Sequence, residues 1–171
     1  MQALITFFVE LCALRRPPQD LPASQLLFGV TLVADLLVGI LVGLTAHLSL
    51  LTSFAEGLTE VAMMLAALYA GLELLNRPNR FLQSATALLG SGALLGLAAI
   101  APLMLDPTGS EQTELAALGA FVLLGLVIWG IVVTGHILRH TFSLTLGQGA
   151  AVAAAFEVLT VSLVTVMFGG N

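Results

Sequence analysis

Apolar residues run almost without interruption through five stretches of the chain, at about residues 26–46, 57–76, 82–105, 115–138 and 145–168. A helix rises ~1.5 Å per residue, so about 20 apolar residues cross the ~30 Å hydrocarbon layer of a bilayer. The pattern therefore predicts five transmembrane helices. Membrane strands would show segments of about ten residues alternating in polarity, whereas these stretches are apolar on every face. The expected fold class is all-α, a polytopic bundle over 26–168.

Short polar segments separate the stretches: Ser49 to Gly57, Asn76 to Arg80, Asp106 to Ser110 and Arg139 to Leu144. Connections this short make sequential helices antiparallel neighbours. Within the first of them, Leu48 to Phe54 are apolar enough either to extend a helix or to lie flat on the membrane. Residues 1–25 form a separate lead. Its first 14 residues are apolar but too short to cross, and they lack the basic start and cleavage site of a signal peptide. Phe7, Leu11 and Leu14 recur at helical spacing, which predicts an interfacial helix ended by Pro17-Pro18, with Arg15 and Arg16 placed to reach lipid phosphates.

Composition agrees with lipid as the solvent. The chain is 58% apolar and 9% charged, against roughly 45–50% and about 25% in soluble domains. A net charge of −5 without a basic cluster longer than two residues excludes a nucleic-acid partner. The single cysteine, Cys12, excludes a disulfide framework and a Cys-based metal site. All five basic residues, Arg15, Arg16, Arg77, Arg80 and Arg139, fall on one side of a five-span topology, while Glu56, Asp106, Glu111 and Glu114 fall on the other. The positive-inside rule then puts the N-terminus in the cytoplasm and the C-terminus outside. An Ala- and Leu-rich, Lys-free chain points to a bacterial inner membrane.

Ionisable side chains in hydrocarbon are costly and mark sites of interest. Asp35, nine residues into the first stretch, and Glu157, twelve into the fifth, both fall near mid-depth with no Lys or Arg within reach. Burial without a countercharge favours the neutral acid, and Thr31, Thr160 and Ser162 offer hydroxyl partners. Two readings follow: a proton or cation relay, or a neutral carboxyl clamp that fixes helix pairing. Glu73 and Arg77, four apart at a helix end, are spaced to neutralise each other. His47, Glu56 and Glu60 are the weak candidates for a divalent metal on the outer side, outside any recognised ligand motif, so no metal and no cofactor is expected. His136 and His140, spaced i, i+4 beside Arg139, are expected at the headgroups. Gly39-x-x-x-Gly43 and Gly92-x-x-x-Gly96 predict close helix packing, as do Gly125, Gly130 and Gly135 beside the bulky Trp129. Met63-Met64 reads as core or lipid-facing.

This arrangement resembles the Yip (Ypt-interacting protein) domain family. The polar, proline-bearing lead Arg16 to Ser24, the Arg80-Phe81-Leu82-Gln83-Ser84 opening of the third stretch, Pro102 near its outer end, and the hairpin running from Leu115 through Trp129 and Arg139 into Phe142-Ser143-Leu144 are similar to bacterial members. The resemblance implies five helices with a cytoplasmic N-terminus and an outer C-terminus. It also implies a non-enzymatic membrane organiser or small subunit of a membrane assembly. Its partners would be lipids and either another membrane protein or a second copy, met through Arg77, Arg80, Arg139 and the N-terminal helix. Eukaryotic members act in membrane traffic and associate with small GTPases, and many have a long cytoplasmic N-terminal region; this chain lacks that region, so GTPase binding is not carried over to it. The alternatives are a proton- or ion-coupled transporter using Asp35 and Glu157, and a lipid-acting enzyme using His47, Glu56 and Glu60. No Gly-x-Ser-x-Gly, phosphate-loop, His-Glu-x-x-His or dinucleotide motif supports the enzyme.

Overall fold

The computed structural model of the chain describes residues 2–105 and 113–168, and these are helical throughout apart from turns. Asp106 and Glu111, expected on the outer side, lie outside the described residues. The helices are α1 (Gln2–Cys12), α2 (Gln25–Thr45), α3 (Leu50–Leu74), α4 (Phe81–Leu105), α5 (Glu114–Phe142) and α6 (Leu146–Phe168), with single 3-10 turns at Pro18–Asp20 and Pro78–Arg80. Five of them, α2 to α6, are long and apolar enough to cross a membrane.

Local chemistry sets the ends. Ser24, Ser49 and Thr113 are N-caps whose hydroxyls accept from Leu27 N, Thr52 N and Ala116 N. Thr145 and Gln148 form a reciprocal capping box at the start of α6, at 3.0 and 3.2 Å. Four helices end on a residue in left-handed conformation: Leu14, His47, Asn76 and Ser143. The next amide closes each turn onto a carbonyl five residues back, as in Leu48 N to Gly43 O at 2.9 Å and Arg77 N to Leu72 O at 2.8 Å.

Three expectations change. The second long helix begins at Leu50 rather than 57, because Ser49 caps it and Gly57 is simply accommodated inside; the expected Ser49–Gly57 connection shrinks to the turn between Thr45 and Leu50. Glu60 consequently moves from the helix start to its middle. The first helix stops at Cys12 through the left-handed Leu14, upstream of Pro17-Pro18. It is also packed into the bundle rather than laid beside it. Leu11 is fully buried, Phe8 occupies the space where Gly90 of α4 lacks a Cβ, and Trp129 Nε1 of α5 donates to the Cys12 carbonyl at 3.1 Å. Burial pushes the Cys12 thiol up to about 11.

The long helices form a closed ring in the order α2, α3, α6, α5, α4 and back to α2, with α3 and α6 touching least; α3 and α4, expected as neighbours across the short Asn76–Arg80 connection, are therefore not adjacent in the ring, because α2 packs against α4 instead. Missing side chains permit the close crossings. Gly43 of α2 faces Ser53 of α3, Gly96 of α4 faces Val38 of α2, and Gly135 of α5 meets Gly149 of α6 backbone to backbone. The apolar core lies at the end of the ring that holds the arginines: Leu68 and Leu72, Ala85 and Leu88, and Val133 and Ile137 pack there around Leu11.

Candidate functional site

At the arginine end the polar side chains are bonded across elements. Arg80 Nη1 donates to the carbonyls of His140 and Thr141 at 3.0 and 3.1 Å, and Arg77 Nη1 to Ser143 Oγ at 2.6 Å. The C-terminal carbonyls of α5 are the natural target of a guanidinium, since they lack helical partners and carry the negative end of the helix dipole. Gln83 Nε2 donates to Leu21 O at 2.8 Å, and Gln19 Nε2 to His140 O at 3.1 Å. Inside, Ser84 and Thr141 share a buried hydrogen bond at 2.8 Å. Arg16 pairs with Glu10 at 2.9 Å and Asp20 at 3.7 Å, while Arg15 is exposed. Arg139 is half-buried, and its Nε has no partner.

Two expectations fail here. Arg77 turns to Ser143, so no ion pair with Glu73 forms; the ion pairs among the described residues are those of Arg16. His136 is not at the headgroups but buried, with Nε2 donating to the Arg16 carbonyl at 2.9 Å and its ring edge-on to His140 at 4.8 Å. The histidines therefore fasten the N-terminal lead to α5.

Beyond this closed end, the middle of the ring holds a cavity of about 440 Å³ to which all five long helices contribute. Three acids line it: Asp35 of α2, Glu60 of α3 and Glu157 of α6. They stand ten, ten and eleven residues from the starts of their helices at Gln25, Leu50 and Leu146, about 15–17 Å along each axis. Asp35 is half-buried, while Glu60 and Glu157 are exposed. Among the described residues, no Lys, Arg or His lines the cavity. Gly92 of α4 makes room for the Asp35 carboxylate, since a Cβ there would come within 2.7 Å of Oδ1.

Asp35 and Glu157, singled out from the sequence, thus share one cavity, and Glu60 joins them. The sequence reading assigned Glu60 to an outer group with His47 and Glu56. That group is not assembled: His47 is the left-handed residue ending α2, and no three His, Cys, Asp or Glu among the described residues converge as a metal site requires. Of the three hydroxyls offered to the acids, Thr31 donates to Leu27 O and Phe28 O at 3.1 and 3.0 Å, and Ser162 to Val158 O at 2.7 Å. Thr160 alone lines the cavity, 6% exposed, and its Oγ1 has no partner. Met64 lines the cavity and packs on the core.

Fold and site together define an all-helical chain with five membrane-length apolar helices ringed around an acid-lined cavity. No family model, curated protein or solved structure matches the chain.

Proposed function

We propose that this is a multi-pass protein of a bacterial inner membrane that moves protons or cations across the bilayer, with Asp35, Glu60 and Glu157 as its relay. One observation carries the reading: three acids from three helices line a common cavity with no basic residue among the described residues of its wall. Three like charges in a low-dielectric surrounding repel one another and are poorly solvated, so the site gains free energy by taking up a proton or a cation. A neutral clamp would need the acids bonded to one another or to neighbouring hydroxyls, and Thr31 and Ser162 spend their hydroxyls on their own helices. The arginine end faces the cytoplasm by the positive-inside rule, with the N-terminus inside and the C-terminus outside. A Yip-like organiser is the other reading of the chain. It rests on the resemblance and leaves the cavity without a role.

The test is flux in proteoliposomes. A potassium diffusion potential imposed with valinomycin drives proton uptake, read by a trapped pH dye, or sodium uptake, read by a tracer. Wild-type protein is expected to exceed empty liposomes, and Asp35→Asn, Glu60→Gln and Glu157→Gln to fall to the empty-liposome rate while eluting as folded protein. Equal flux in wild type and the triple amide variant refutes the relay.

A further inference from the structure

We propose that the cavity binds an organic cation bearing apolar groups. This rests on the reading that the three acids act together on a cation, and it specifies the chemistry of the cargo. The volume comes first. About 440 Å³ lies within the roughly 300–1,000 Å³ of pockets that hold drug-sized ligands, and far exceeds the ~30 Å³ share of one water. The acids come second. They are spread around the wall, and no three acidic, His or Cys side chains among the described residues close on a single ion. Dispersed carboxylates suit a cation with an extended body better than a bare metal, which needs several oxygens at one point. The wall between them comes third: Val42, Met64, Leu95, Leu126, Val127 and Phe156 offer an apolar surface.

Thr160, one turn beyond Glu157 on α6, also lines the wall and is 94% buried. It lies on the Glu157 face of the helix, where i, i+3 residues are neighbours. Gly39 and Gly57 complete the shape: both line the cavity, and a Cβ at either would meet nothing within 4 Å. The space is therefore open as well as acidic.

The experiment measures equilibrium binding of tetraphenylphosphonium to the full chain in nanodiscs, with tetraphenylborate as the anion of the same shape. Saturable binding of the cation and none of the anion is expected. Glu157→Gln should weaken it about tenfold by removing a charged partner. Gly39→Leu, which keeps every acid and adds bulk where a Cβ meets nothing within 4 Å, should weaken it at least as much. Wild-type affinity in both variants, or equal affinity for tetraphenylborate, overturns the inference. Absent cation binding alongside intact carboxylate-dependent flux overturns it alone and leaves a relay for small ions. Saturable, charge-selective binding without flux upholds it and refutes transport; absence of both refutes both.

Discussion

Arg80, Gln83 and His136 at the closed end each donate to a carbonyl on another element. Around the cavity, by contrast, Asp35, Glu60 and Glu157 line a wall that holds no basic residue among the described residues, and Thr160 Oγ1 has no partner. The helices are of one kind, apolar and capped by the same residue types; what differs is whether their polar groups are spent. Bonded groups raise stability modestly and cost much when cut, while unpaired ones cost stability for as long as they are kept. The closed end therefore reads as the part that holds the ring together and the cavity as the part retained for function. Arg139 departs from this pattern, as a buried Nε without a partner at the closed end.

The sharpest way to break the contrast is to add a methyl group in each region. At Gly149 a Cβ would run into the Gly135 carbonyl, and at Gly135 it would come within 2.6 Å of Ala150 N. Backbone cannot yield as a side-chain tip does. Gly149→Ala should cost about 3 kcal/mol, seen as a large fall in the detergent melting midpoint, and Gly149→Leu should leave no folded species on size exclusion. Gly39→Ala points into open space and should be neutral or stabilising by up to ~1 kcal/mol through helix propensity. Equal losses at Gly149 and Gly39 would erase the distinction between the regions.

Charge removal should split the two regions in the same direction. Arg80→Met leaves the carbonyls of His140 and Thr141 without their donor, at a cost of roughly 2 kcal/mol, and Arg80→Lys should recover part of it. Glu157→Gln removes one of three like charges that lack a countercharge, and the melting midpoint should hold or rise by the equivalent of ~1 kcal/mol. A fall comparable to that of Arg80→Met would mean that Glu157 is a structural clamp.

The five long apolar helices, the all-helical class and the gathering of the arginines at one end were legible because each is a one-dimensional signal: run length, periodicity and charge position. Asp35 and Glu157 were legible for the same reason, being acids in the middle of apolar runs. Glu60 was not, because its depth depends on where α3 starts. Taking Gly57 as a boundary placed Glu60 at the outer surface, whereas the Ser49 cap with Thr52 three residues on, ahead of a continuous apolar run, was the signal that moves the start to Leu50. That the three acids share one cavity depends on the ring order of the helices. The crossings at Gly43, Gly96, Gly135 and Gly149 permit it, and which glycine faces which helix has no one-dimensional trace.

The smallest effect concerns the one histidine near the acids in sequence. His47 has φ 63° at the end of α2, the position where a helix turns out through the left-handed region and where glycine is preferred. A Cβ there is strained, although His tolerates the conformation better than most residues. His47→Gly should therefore stabilise the chain by about 0.5–1 kcal/mol, or a rise of ~1–4 °C in melting midpoint for a chain of this size. His47→Val should lower it by more than that, since a β-branched side chain is least suited to the left-handed region. A metal ligand predicts the opposite pattern: zinc would raise the midpoint of wild type, and His47→Gly would abolish that rise. A zinc-independent gain in His47→Gly assigns His47 to the turn, and leaves Glu60 to the cavity it shares with Asp35 and Glu157.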